Sequence, residues 1–304
     1  MPVDTGDNRL SILPSAGVFH TPDRVALEQG LFAREGLEVT VVRDWAMPQR
    51  AAAAPEPAGV DLKLSKDSMI GSFEEFRADT FNMCEWGVIQ RAELHTERPV
   101  RIGYLRPAVV TQAIISFDDE IQEPHDLVDR PVGVGGFSGQ HYTTLQLLEG
   151  PLRREQLNVI DVQGLDDLLE LAQRGDLAAV TVMEPFVSLA LKRGGHIVSS
   201  TFYRGGQVFA EMVPQQARLA YLRAVNSAVD IVNADLARYR SYITEDAHGA
   251  LLPDELRPDF YRYTYAAELS HKRFEESYGW LSSWGFTSGQ SAYESIVSPL
   301  VELV

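Results

Sequence analysis

A chain of 304 residues, 45% of them hydrophobic, can bury a full core in one large domain or two modest ones. Its formal net charge of −16 excludes the basic face of a nucleic-acid binder and disfavours anionic membrane surfaces. The single cysteine, Cys84, excludes a disulfide within the chain and a cysteine-rich zinc site.

In chain order, Arg9 to Pro14 reads as a first strand. Thr21, Pro22 and Asp23 mark a helix start, with proline in the first turn. Gly36 stops that helix, and Leu37 to Val42 form a second strand. Trp45 to Pro57 reads as a loop, Ser68 to Arg77 as a short helix and Thr80 to Met83 as a strand leading to Cys84 and Glu85. Trp86 to Leu94 is helical, and Val100 to Leu105 and Thr111 to Ser116 read as two separate strands. No apolar run is long enough to span a bilayer. The start, MPVDTGDNRLSIL, has no basic stretch followed by an apolar one. The expected location is therefore cytoplasmic, or periplasmic if a leader was removed.

The stretch Pro131 to Leu148 organises the rest of the chain. Val132 to Val134 is a short strand, and Gly135 and Gly136 allow a tight turn. Ser138 is a candidate N-cap, and Gln140 to Leu148 a helix. Such a strand–turn–helix step points several backbone N–H groups into one small volume, a seat for a carboxylate, sulfonate or phosphate. It is equally an ordinary βα turn. The β–α alternation then continues to Ser199, which argues for parallel sheets covered by helices. From Gln207 the pattern turns helical, with Leu219, Leu222, Val225, Val229 and Val232 forming a core stripe and Phe260 to Trp284 a second helical region.

His20 to Val42, HTPDRVALEQGLFAREGLEVTVV, resembles the opening of type 2 periplasmic binding proteins of the sulfonate, nitrate and thiamine-precursor group. Gly30, Phe32, Glu35, Gly36, Leu37 and Val39 carry the match, and Asp126 to Val134, Met183 to Pro185 and Gly279 to Val304 follow in the same order. The resemblance implies an α/β fold of two lobes, each a mainly parallel sheet flanked by helices, with ligand bound between them. The crossings would fall near Arg106 and near Gly206. Lobe one is then 1–106 plus 207–304, and lobe two is 107–206. The strand ends Ser15 to His20, Met83 to Trp86, Gly135 to His141 and Met183 to Glu184 would face the cleft.

A weaker resemblance links Phe81 to Gln90, FNMCEWGVIQ, to the 4,5-dihydroxyphthalate decarboxylase-like cytoplasmic enzymes of the same fold. Cys84 and Glu85 match that group's Cys-Glu pair, and Asn82 replaces its usual Asp. An aromatic sulfinate desulfinase shares the fold and uses a cysteine in the first ligand loop, but Ser15 to Phe19 contains none.

The residues leave functional and structural readings open side by side. Glu85 beside Trp86 could be a desolvated general acid or a helix cap. His20 could be a base or orienting group, and His141 a catalytic or ligand contact; each could equally make structural hydrogen bonds. Cys84 could be a nucleophile or a core residue. Arg106 could pair with a substrate carboxylate, and Glu184 could line the cleft. The expected catalytic set is thus Glu85, His20 and His141. The expected ligand contacts are Phe19, Cys84, Trp86, Arg106, Gly136, Phe137, Ser138, Gly139, Gln140, Tyr142 and Glu184. Residue spacing supports no metal site, and no cofactor is expected.

The resulting expectation is a cytoplasmic, cofactor-independent lyase, decarboxylase-like, acting on a small anionic aromatic or heteroaromatic molecule. The alternative is the substrate-binding component of an importer for a sulfonate, nitrate or thiamine-precursor-like solute, or a non-catalytic carrier or sensor. Expected partners are the small anion and, as an option, a second copy in a homodimer. Nucleic acid and membrane insertion are not expected.

Overall fold

The structure, a computed structural model, describes residues 8–42, 56–57, 73, 78–94, 98–135, 139–162 and 165–300. Two long antiparallel strands form its spine, β5 (Val100–Ser116) and β9 (His196–Ala210). On one side lie β4 (Thr80–Cys84), β1 (Arg9–Ile12) and β2 (Glu38–Val41). On the other lie β8 (Ala179–Met183), β6 (Pro131–Val134), β7 (Asn158–Asp161) and the two-residue β3 (Glu56–Pro57). The antiparallel β10 (Tyr261–Tyr263) pairs with β5 at Ala108 to Val110.

Each flank carries the expected parallel pairing. β1 runs parallel to β2 and β4, and β6 runs parallel to β7 and β8. β5 is buried along nearly its whole length, as a central strand covered on both faces must be. The stretches read as two strands, Val100 to Leu105 and Thr111 to Ser116, are therefore one. Arg106 and Pro107 interrupt the hydrophobic pattern but not the pairing: the register with β9 shifts between Leu105 and Val109 instead. Arg106 and Gly206 themselves lie within these two strands.

The first helix spans Gly17–Glu28, four residues earlier than Thr21 suggests, and carries Pro22 inside it. Pro22 is the sixth residue of this helix, past the first turn, so its missing N–H leaves the Val18 carbonyl without its i+4 donor. Gly30 follows at φ 64° and Gly36 at φ 71°, left-handed positions that glycine fills without strain. The Gln215–Ala234 helix buries Leu222, Val225, Val229 and Val232 against the first helix and the sheet, as its stripe requires. The second aromatic-rich region is not one helix. Tyr261–Tyr263 is a strand, and the helix begins only at His271 and ends at Ser283. The Ser68 to Arg77 helix lies outside the described residues apart from the buried Phe73, as does most of the Trp45 to Pro57 loop. Among the described residues, no helix is long and apolar enough to cross a membrane.

Candidate functional site

The topology brings strand ends from both flanks to one place. Cys84, the last residue of β4, pairs with Gly205 of β9. Met183, the last residue of β8, pairs with Gln112 of β5, which faces Thr201 of β9. The carboxyl ends of the two half-sheets thus converge on residues 201–205 of β9, the crevice where open α/β sheets bind ligands.

Aromatic rings fill that crevice. Tyr203 lies between Phe19 (ring centroids 5.4 Å apart, edge-on) and Trp86 (6.2 Å, stacked). Trp86 in turn meets Tyr142 at 6.1 Å and Trp280 at 6.3 Å. The Gly139–Leu148 helix enters this cluster from the second flank. A Cβ on Gly139 would lie 2.6 Å from the Gln112 amide nitrogen and 3.3 Å from both Cys84 and Tyr203, so a larger residue would have to displace the Gln112 side chain. Polar partners cross the same junction. The Tyr142 hydroxyl donates to the Gln90 side-chain oxygen, and the Thr143 hydroxyl donates to the Gln112 side-chain oxygen. The Tyr203 hydroxyl donates to the Met183 sulfur at 3.1 Å. Phe19, Cys84, Trp86, Gly139 and Tyr142 are therefore brought together, and Gln140 is buried in the same helix start. Gly136, Phe137 and Ser138 lie outside the described residues.

Glu85 has a partner that its neighbours in sequence do not reveal. Arg273 donates to it from Nε at 3.0 and 2.8 Å and from Nη2 at 2.6 Å, and the Ser277 hydroxyl adds a bond of 2.8 Å. Both oxygens accept hydrogen bonds from a neighbouring helix. The general-acid reading is corrected on this ground: the group is engaged as an acceptor within an ion pair. Glu85, Trp86, Arg273 and Ser277 line a solvent-open hollow of about 340 Å³. A separate hollow of about 110 Å³ contains His20, with Ser15, Arg24 and Asp246. The two share no residue, so His20 and Glu85 do not form an acid–base pair about a common space.

Several expected ligand contacts turn out to be internal. The Arg106 guanidinium is fully buried and donates to Asp23, to the Gln207 side-chain oxygen at 2.9 Å and to the Phe19 carbonyl at 2.5 Å. It is not available to a substrate carboxylate. Burial would raise the Asp23 pKa, but Arg106 beside it holds it below the usual carboxylate range. His20 sits 3.8 Å from Asp23, and burial lowers its pKa, so its ring is neutral at ordinary pH. Burial lowers His141 to about 4, and its ring packs edge-on against Phe286 at 5.6 Å. Glu184 is closed off too. It accepts from the Ser188 hydroxyl at 2.6 Å and the Ser188 N–H at 3.2 Å, and burial raises it to about 7. Cys84 is buried as the N-cap of the Glu85–Glu93 helix, where its sulfur accepts from the Gly87 N–H at 3.3 Å. Burial pushes the thiol to about 12, so the core reading stands and the nucleophile reading falls.

Sequence reasoning missed Gln112, Tyr203, Lys272, Arg273 and Ser277. Tyr203 and Gln112 lie in long strands whose apolar pattern marks them as core. The signal for Lys272 and Arg273 was legible: with His271 they open a helix with three basic residues, where the dipole favours acids.

No protein-family model matches the chain, and no curated protein does. Solved structures do. The ligand-binding component of an ABC-type import system from Staphylococcus aureus aligns at TM-score 0.71 and 11% identity, over 97% of this chain and 98% of that one. The alkanesulfonate-binding protein of Xanthomonas axonopodis pv. citri aligns at 0.68 and 11%, over 96% and 97%. The desulfurization enzyme DSZB aligns at 0.62 and 14%, over 96% of each chain. The chain has the two-lobed periplasmic-binding-protein fold. At these identities the likeness establishes architecture alone.

Proposed function

We propose that this protein binds a small organic anion of the sulfonate or carboxylate type between its two lobes, which span 1–106 plus 207–304 and 107–206. One observation carries the reading. The junction offers aromatic faces, amides and hydroxyls, which recognise, while its reactive groups are taken: Glu85 is held by Arg273 and Ser277, and the Cys84 thiol sits at about 12. The sulfonate-binding proteins that share the fold support an anionic solute. In this reading, lobe opening admits the ligand to the ring cluster, and closure removes it from water. Work with an importer would place the protein in the periplasm.

The second reading is an enzyme, a decarboxylase-like lyase in its most specific form. It is favoured by DSZB, an enzyme on the same scaffold. A thermal-shift screen of alkyl and aryl sulfonates and carboxylates, with mass spectrometry of each hit, separates the two. The expected result is a stabilising ligand recovered unchanged; a ligand at one hundred times its Kd stabilises by about 2.7 kcal/mol. Conversion of a hit to product would replace the binding reading with the enzymatic one.

A further inference from the structure

The hollow beside Glu85 sets two cations, Lys272 and Arg273, against two carboxylates, Glu85 and Glu276. In a chain of net charge −16, the His271–Ser283 helix opens with His271, Lys272 and Arg273 and has no acid in its first turn. That order opposes the helix dipole, and a sequence that breaks a local rule does so most often where function requires it. Arg273 binds Glu85 through Nε and Nη2, which leaves Nη1 for an incoming acceptor. Lys272 is 86% exposed and stands 3.8 Å from Glu276. Outside the hollow's lining, Arg204 is a further cation with no carboxylate within ion-pair distance among the described residues. Its donors go to the carbonyls of Arg106 at 2.8 Å and Tyr265 at 2.7 Å. Burial, and then repulsion from Arg273, lowers its pKa to about 10. Lys272 and Arg273 line a space of about 340 Å³ together with two carboxylates, Glu85 and Glu276. Ligand pockets commonly measure about 300–1,000 Å³.

We propose that this hollow seats the acidic group of the ligand, a sulfonate or carboxylate whose oxygens meet Lys272 and Arg273 while its apolar body lies on the Trp86 indole. The inference rests on the binding reading and specifies which part of the molecule takes the charge. Gln146, on the Gly139–Leu148 helix, also lines the hollow, so an anion seated there would meet elements from both flanks of the sheet.

The test uses the full chain and isothermal titration with benzenesulfonate, with neutral benzenesulfonamide as control. Lys272→Glu is the first variant, because an exposed surface lysine can change without unfolding the chain. It should weaken benzenesulfonate at least tenfold and leave the sulfonamide unchanged, and added salt should weaken the wild type. Arg273→Gln should weaken the sulfonate further. Unchanged benzenesulfonate affinity in both variants would overturn the hollow as the anion seat and leave the binding reading intact. Failure of benzenesulfonate to bind the wild type would also overturn it, and the wider screen then decides separately whether the binding reading falls.

Discussion

Two arginine–carboxylate pairs in this molecule use the same chemistry to opposite ends. Asp23 and Arg106 are 1% and 0% exposed, and every neighbour of the pair is part of the protein. Tyr221 also donates to Asp23, and Gln207 and the Phe19 carbonyl accept from Arg106. Glu85 is equally buried, at 4%, but its partner Arg273 is 45% exposed and opens onto a hollow. The first pair ties the first helix to β5 at Arg106. The second holds a cation at a surface where something else can reach it. A pair closed off from solvent is scaffold, whereas a half-open pair with a spare donor facing a hollow is a candidate for recognition.

The largest expected effect follows from the closed pair. Asp23→Asn leaves the Arg106 charge buried without a counter-ion, which costs about 3–5 kcal/mol. Arg273→Met should cost less, about 1–3 kcal/mol, because Glu85 keeps its Ser277 bond. Urea unfolding of both variants, compared at constant m-value, measures the difference. Equal losses would dissolve the distinction between scaffold and recognition pairs.

A buried carboxyl with no ion-pair partner among the described residues, Arg257 acting on it only as the smallest influence, sharpens the contrast through pH. Burial raises Glu184 from its ordinary value of 4.5 to about 7, and the Ser188 bonds do not offset it. The folded state then holds a proton that the unfolded state has released, so the stability from this group is full below about pH 4.5 and is lost as pH rises through about 7. The loss amounts to about 3 kcal/mol. Glu184→Gln keeps a neutral acceptor for Ser188 and should abolish that part of the decline between pH 5 and 8. Burial gives Asp246 the same sign, with a pKa of about 6, so the single variant must be compared with wild type at each pH. Parallel curves for the two proteins would show that Glu184 does not titrate in this range.

Much of the fold was legible because local rules and tertiary structure agree. The Gly36 stop, the stripe of the Gln215–Ala234 helix and the β–α alternation all follow from spacing, whereas the break at Gly30 inside the expected first helix does not. The long strands were misread where a polar interruption, Arg106-Pro107, coincides with a register shift rather than a break. The candidate site was legible only in part. Its aromatic and glycine members, Phe19, Trp86, Gly139 and Tyr142, sit in the first turns of helices that follow strands, places that a pattern can locate. Its electrostatics depend on pairings 83 and 188 positions apart, Asp23 with Arg106 and Glu85 with Arg273, and no local window contains both partners. A single residue therefore looked reactive until its counter-ion was known.

Cys84 provides the smallest and cleanest test of that lesson. It adjoins Glu85 and caps a helix, a position that by itself lowers a thiol's pKa. Burial against the inter-lobe aromatic cluster acts the other way and wins, at about 12. At pH 8 the thiolate population is then negligible, and the packed rings block access. Iodoacetamide should leave the native protein unlabelled over hours and label the urea-unfolded chain within minutes, as intact-mass spectrometry would show. Cys84→Ser, which retains a cap acceptor for Gly87, should leave ligand binding within about twofold, since a near-isosteric change that keeps the cap disturbs the junction little. Rapid native labelling would mean that the lobes open often enough to expose the junction, and it would return Cys84 to the set of reactive residues.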